Sequence, residues 1–118
     1  MDDKTRSMLE SCGVDIKVTM ERFMGKEELL FKFLKKFTSD ESYNSLISAM
    51  EGEKYEEAFT HAHTLKGVSA NLGLGNLTNS SSELTEKLRS GEYYGNEALV
   101  ERIKNDYKEA MEMISRLD

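Results

Sequence analysis

Apolar residues recur at helical spacing along most of the chain. Leu29, Leu30, Phe33, Leu34 and Phe37 form a broad stripe, and the pattern resumes at Tyr43, Leu46, Ile47 and Met50 before Gly52. Between the two runs lies Thr38-Ser39-Asp40-Glu41, a bend or re-capping signal. Residues 26–51 therefore read as one long helix kinked there, or as two helices end to end. Lys54 to about Leu72 is the next helix, and Gly73-Leu74-Gly75 a tight reversal. Asn76 is expected to cap a helix that carries Leu77, Leu84 and Leu88 and ends at Ser90. Gly91 to Gly95 is a loop, and Asn96 opens a last helix with Leu99, Ile103, Tyr107, Ala110, Met111 and Ile114 on its apolar side. Two shorter pieces come first. Asp2 to Ser11, with Met8 and Leu9, is expected to be peripheral. Asp15 to Met24 has Asp15 where an N-cap belongs and Met20, Phe23 and Met24 at i, i+3 and i+4. No segment alternates apolar and polar residues as a strand does. The expected fold is all-α: an antiparallel up-and-down four-helix bundle over 26–118, after one or two short lead-in helices within 1–25, in a single domain.

Composition narrows the function. The chain has 118 residues, eight glycines and no proline. Its breaks must then come from glycine and small polar residues. Sixteen basic against 22 acidic residues leave a net charge of −6, with no basic block, so nucleic acid is not an expected partner. No apolar run approaches the roughly 18 residues of a membrane span, and the N-terminus lacks the apolar core of a secretory signal. The single cysteine, Cys12, cannot build a disulfide framework or a cysteine zinc site. A cytoplasmic, monomeric protein is expected. The initial Met and the lack of an interdomain linker favour a free-standing one.

Only two histidines are present, His61 and His63. At about 100° per residue, Ala58, Ala62, Leu65, Val68 and Leu72 gather on one side of their helix. His61 falls within that stripe and reads as a packed or semi-buried histidine bonded to a neighbour. His63 points nearly opposite, toward solvent. Alone it would be an ordinary surface histidine, but its neighbours matter. Lys66, at i+3, places a positive charge beside it, suited to phosphoryl oxygens. Gly67, at i+4, sits in mid-helix, where glycine costs about 1 kcal/mol relative to alanine. It lies away from the core stripe, so packing does not account for it. A bare surface beside His63, continued by Ala70, would let another molecule approach the imidazole. The reversal near Leu74 sets Thr85 level with His63 and Ser82 level with Lys66. Thr85 is thus a candidate to orient the imidazole.

The run His63-Thr64-Leu65-Lys66-Gly67-Val68-Ser69-Ala70-Asn71-Leu72-Gly73 resembles the signature of histidine-containing phosphotransfer (HPt) domains: His-x-Leu-Lys-Gly, two small residues, and a glycine ten positions after the histidine. Ala62 also matches. Gly13-Val14-Asp15, the stripe ending Leu34-x-x-Phe37, and Leu77, Leu84 and Gly91 extend the likeness to about residues 13–115. At the level of Thr85 the family often carries a longer glutamine. The resemblance implies a phosphorelay intermediate. His63 would take a phosphoryl group from the aspartyl phosphate of a receiver domain and pass it to another receiver's aspartate. Lys66 would stabilise the phosphoryl group, and Thr64, Gly67, Ala70 and Asn71 would form the docking surface. Receiver domains of response regulators, or a hybrid sensor histidine kinase, would be the partners. The chain would need no cofactor of its own, Mg²⁺ being supplied on the receiver.

Two rival readings stand beside this one. A metal site is disfavoured, because histidines at i, i+2 point about 200° apart and cannot chelate together. Neither has a glutamate three residues before it, as the di-iron bundle pattern requires; positions 58 and 60 are Ala58 and Thr60. The other rival is a non-catalytic helical adaptor, including an inactive relative that docks receivers without accepting phosphate.

Overall fold

Residues 1–117 are described in a computed structural model of the chain; Asp118, where the expected bundle ends, lies outside the described residues. Seven helices follow one another among the described residues, with no strand: α1 (Asp3–Ser11), α2 (Ile16–Arg22), α3 (Glu27–Phe37), α4 (Ser42–Glu51), α5 (Tyr55–Asn71), α6 (Gly75–Arg89) and α7 (Glu97–Ser115). Side chains explain several boundaries. Asp2 and Asp15 act as N-caps, accepting from the backbone N–H of Thr5 at 2.8 Å and of Val18 at 3.1 Å. Between α3 and α4, Thr38 Oγ1 donates to the Lys35 carbonyl, and Asp40 accepts from the Ser42 N–H. These local bonds compete with the helical ladder, so 26–51 forms two helices end to end rather than one.

Packing follows the stripes. Helices α5 and α6 form an antiparallel hairpin: near its tip Thr78 Oγ1 donates to Ser69 Oγ at 3.0 Å, and near its base Arg89 lies over the ring of Phe59. Helix α4 packs on α5, α6 on α7, and α7 on α3, so the longer helices neighbour one another in the order α4, α5, α6, α7, α3 about one core. Ala58, Ala62, Leu65 and Leu72 are buried as expected, Val68 only partly. Asn79-Ser80-Ser81-Ser82, a run of poor helix formers within α6, is held by burial. Ser80 and Ser81 are fully enclosed, and Ser81 Oγ returns to the Leu77 carbonyl at 2.6 Å.

Helix α1 is a lead-in at the edge of the bundle, as expected; its one buried residue, Leu9, anchors it, and Cys12 and Val14 beyond its end are buried too. Two expectations need correction. Met24 is not on an apolar face. It lies past the end of α2 at φ 57°, 70% exposed. Asn76 is not a cap, since α6 already begins at Gly75. Its side-chain Nδ2 donates to the Ser11 carbonyl at 3.0 Å instead, and its backbone N–H to the Cys12 carbonyl at 3.2 Å. At this seam the chains touch so closely that only glycine fits. A Cβ on Gly75 would strike the Gly13 carbonyl oxygen, and one on Gly13 would strike Asn76. The α1–α2 turn is thereby locked onto the reversal that joins α5 to α6.

Candidate functional site

Helix α5 places its two histidines in different surroundings. His61 is half-buried, in a shallow polar hollow between α4 and α5 that Asn44, Ser45 and Ser48 also line. His63 is exposed on the opposite side. The hydroxyls around it are spent on their own helices. Thr60 Oγ1 donates to the Glu56 carbonyl at 3.3 Å and Thr64 Oγ1 to the Thr60 carbonyl at 3.0 Å. The ring of Phe59, one turn back, lies nearly parallel to the imidazole, with centroids 6.2 Å apart.

Lys66 is half-buried, and no ion pair among the described residues uses it. Gly67 is exposed, and a Cβ built there would meet nothing within 4 Å. Its position in an ordinary helical turn has no packing cause. Thr64 and Asn71 are exposed and Ala70 is half-buried, so the five residues make one shallow surface along α5.

Thr85 does not join them. It is level with His63, but its side chain is fully buried and Oγ1 donates to the Ser81 carbonyl at 2.7 Å. Level fixes only height along the hairpin; which way a side chain faces is set by phase. Thr85 follows Ser81 by four residues and precedes Leu88 by three, so it shares their buried stripe. That signal was available in the sequence. On the outer side of α6 near this height stand Ser82, half-buried, and Glu86, exposed.

Two contributors have no sequence signature. Arg22, in the last turn of α2, donates from Nη1 to the Ala70 carbonyl at 2.6 Å and to the Asn71 carbonyl at 3.2 Å. A cation thus satisfies the carbonyl end of α5, where the helix dipole favours positive charge. Phe33 is the second. The stripe counted it as core, yet it is 40% exposed and lines a groove beside Val68, Asn71 and Leu72 with Phe23 and Lys36. Among the described residues, no three His, Cys, Asp or Glu side chains are grouped to hold a metal ion. No helix among the described residues is long and apolar enough to cross a membrane.

The site is thus an exposed histidine at the middle of a long bundle helix, with a cation and an open glycine on its next turn. The family model for the Hpt domain matches residues 34–113, and the chain belongs to that family of phosphotransfer modules in two-component signalling. Comparison with curated proteins and with solved structures returned no match.

Proposed function

We propose that the protein is a phosphorelay intermediate with His63 as its phosphoacceptor. The observation that carries this reading is the conjunction on α5 of an exposed imidazole, an uncommitted Lys66 and a glycine facing open space. A neutral imidazole holds its proton on one ring nitrogen, so the other can attack phosphorus without losing a proton first. The N–P bond forms as the P–O bond to the receiver's aspartate breaks, and the electron pair leaves with the carboxylate. Transfer to a second receiver runs the same exchange in reverse. Little covalent chemistry is asked of the protein; positioning and charge stabilisation dominate. Lys66 offsets phosphoryl charge, while Mg²⁺ belongs to the receiver. Thr64, Gly67, Ala70 and Asn71 supply the docking surface. The groove beside Phe33 and Val68 lies next to it and supports a partner larger than a small molecule. We also read α3 with α4 as one rod of an antiparallel four-helix bundle completed by α5, α6 and α7, a reading supported by the contacts of α4 with α5 and of α3 with α7.

The test is incubation with a phosphorylated receiver and Mg²⁺. Acid-labile, base-stable label should appear on the protein. His63→Gln should abolish it and His61→Gln should leave most of it. Label that survives His63→Gln would overturn the assignment of the acceptor. A protein that binds receivers yet takes no label from any of them would be the non-catalytic adaptor.

A further inference from the structure

We infer that Phe59 is a positioning residue for the His63 imidazole; this rests on the phosphoacceptor reading above. An imidazole on an exposed helical position turns freely about its side-chain torsions unless something holds it. The hydroxyls of Thr60, Thr64 and Thr85 are all committed to backbone carbonyls. The neighbour that the structure does place against the imidazole is a ring. Phe59 precedes His63 by four residues, so the two share a side of α5. Their planes are 19° apart and their centroids 6.2 Å apart, within the range of offset aromatic pairs.

Phe59 is itself held. It is half-buried, and the Arg89 guanidinium lies 5.1 Å from its ring centroid, at cation–π distance. Arg89 in turn donates from Nε to Glu86 Oε2 at 3.0 Å. A chain of contacts therefore runs from α6 through Phe59 to the imidazole. A flat neighbour restricts the ring without occupying either nitrogen. One nitrogen stays free to attack phosphorus, and the other keeps its proton. This is the difference from a hydrogen-bonding orienter, which takes up one nitrogen. Holding a nucleophile close to its attacking geometry accelerates transfer, and the expected loss on removing the ring follows the modest strength of such pairs.

The experiment compares Phe59→Leu, Phe59→Tyr and Arg89→Gln with the unaltered protein. Two donors are used: a phosphorylated receiver, and phosphoramidate, which needs no docking and releases ammonia as it gives up its phosphoryl group. Phe59→Leu should slow label uptake at His63 from both donors by about threefold to tenfold. Its affinity for the unphosphorylated receiver should stay within about twofold, since the docking residues are untouched. The His63 ring protons should lose the ring-current shift and the cross-relaxation to Phe59 seen in the unaltered protein. Phe59→Tyr should restore rate and spectrum. Arg89→Gln, exposed and outside the core, should slow uptake by about twofold, and it carries the test if Phe59→Leu does not fold. Wild-type rates from both donors in Phe59→Leu, or equal slowing in Leu and Tyr variants, would overturn the positioning role alone. An unaltered protein that takes no label at His63 from either donor would overturn the phosphoacceptor reading as well.

Discussion

Replacing Gly67 should make the protein more stable and less active at once. Gly67 lies well inside α5 and is not among the residues with positive φ, so alanine can adopt its backbone conformation. A Cβ there meets nothing within 4 Å, so no contact opposes it. Gly67→Ala should then gain about 0.5–1 kcal/mol from helix propensity and a less disordered unfolded state. For a chain of this size that raises Tm by about 2–6 °C. The cost falls on transfer. A side chain at 67 stands about 5–6 Å from that of His63, on the side a receiver must reach. Displacing reacting atoms by about 1 Å costs on the order of 100-fold. We expect Gly67→Ala to slow transfer by about threefold to tenfold and Gly67→Gln by about 100-fold. Thermal unfolding followed by circular dichroism measures the first effect, and rapid-quench transfer from a labelled receiver the second. Phosphoramidate, too small to be crowded, should label both variants at close to the wild-type rate. Stabilised variants that still transfer at full speed would refute the reasoning. A destabilised Gly67→Ala would show that the glycine serves the fold after all.

Two further perturbations separate fold from function elsewhere. Thr85→Val keeps the buried volume and loses the bond to the Ser81 carbonyl; stability should fall by about 0.5–1.5 kcal/mol in urea unfolding. Transfer should stay within about twofold, and a tenfold loss would mean that Thr85 does reach the imidazole. Cys12 offers a pH-dependent case. Burial, aided by Glu109 and Asp106, pushes its thiol from the ordinary 9.0 up to about 11. The folded state therefore holds this proton longer than the unfolded chain. The contribution to stability is whole below pH 9 and is lost by pH 11, by roughly 2–3 kcal/mol. Urea unfolding of the protein and of Cys12→Ala across that interval should diverge by this amount; parallel curves would contradict the shift.

Much of the fold was legible because its signals are local. Helix spacing, the N-capping Asp15 and glycine breaks placed each helix to within a few residues, and phase alone separated His63 from His61. Gly67 was legible for the opposite reason, as a residue that breaks the local rule where no packing explains it. What escaped depends on long-range contact. Nothing near Leu9 in sequence says that this one residue of α1 is fully buried, because the core it joins is built mostly from later parts of the chain. Asn76 looked like a cap because its residue type favours that role; the Ser11 and Cys12 carbonyls, more than sixty residues away, claimed its donors instead. Thr85 is level with His63 yet faces the core, because height along the hairpin does not fix which way a side chain points. Arg22 and Phe59 carry no motif at all. Their roles come from what they touch.

The seam at Gly13, Gly75 and Asn76 bears on where this protein can be cut. The stretch shared with the family runs from 34 to 113 and holds His63 and its whole surface. A fragment trimmed to it would give up Leu9, Cys12, Val14 and Phe23 from the core and Arg22 from the end of α5. It would also expose Gly75 and Asn76, whose closeness to residues 11–13 caps the hairpin tip. The recognisable part is thus smaller than the part that seals α5, and the residues before it act as a brace built into the helix that carries His63.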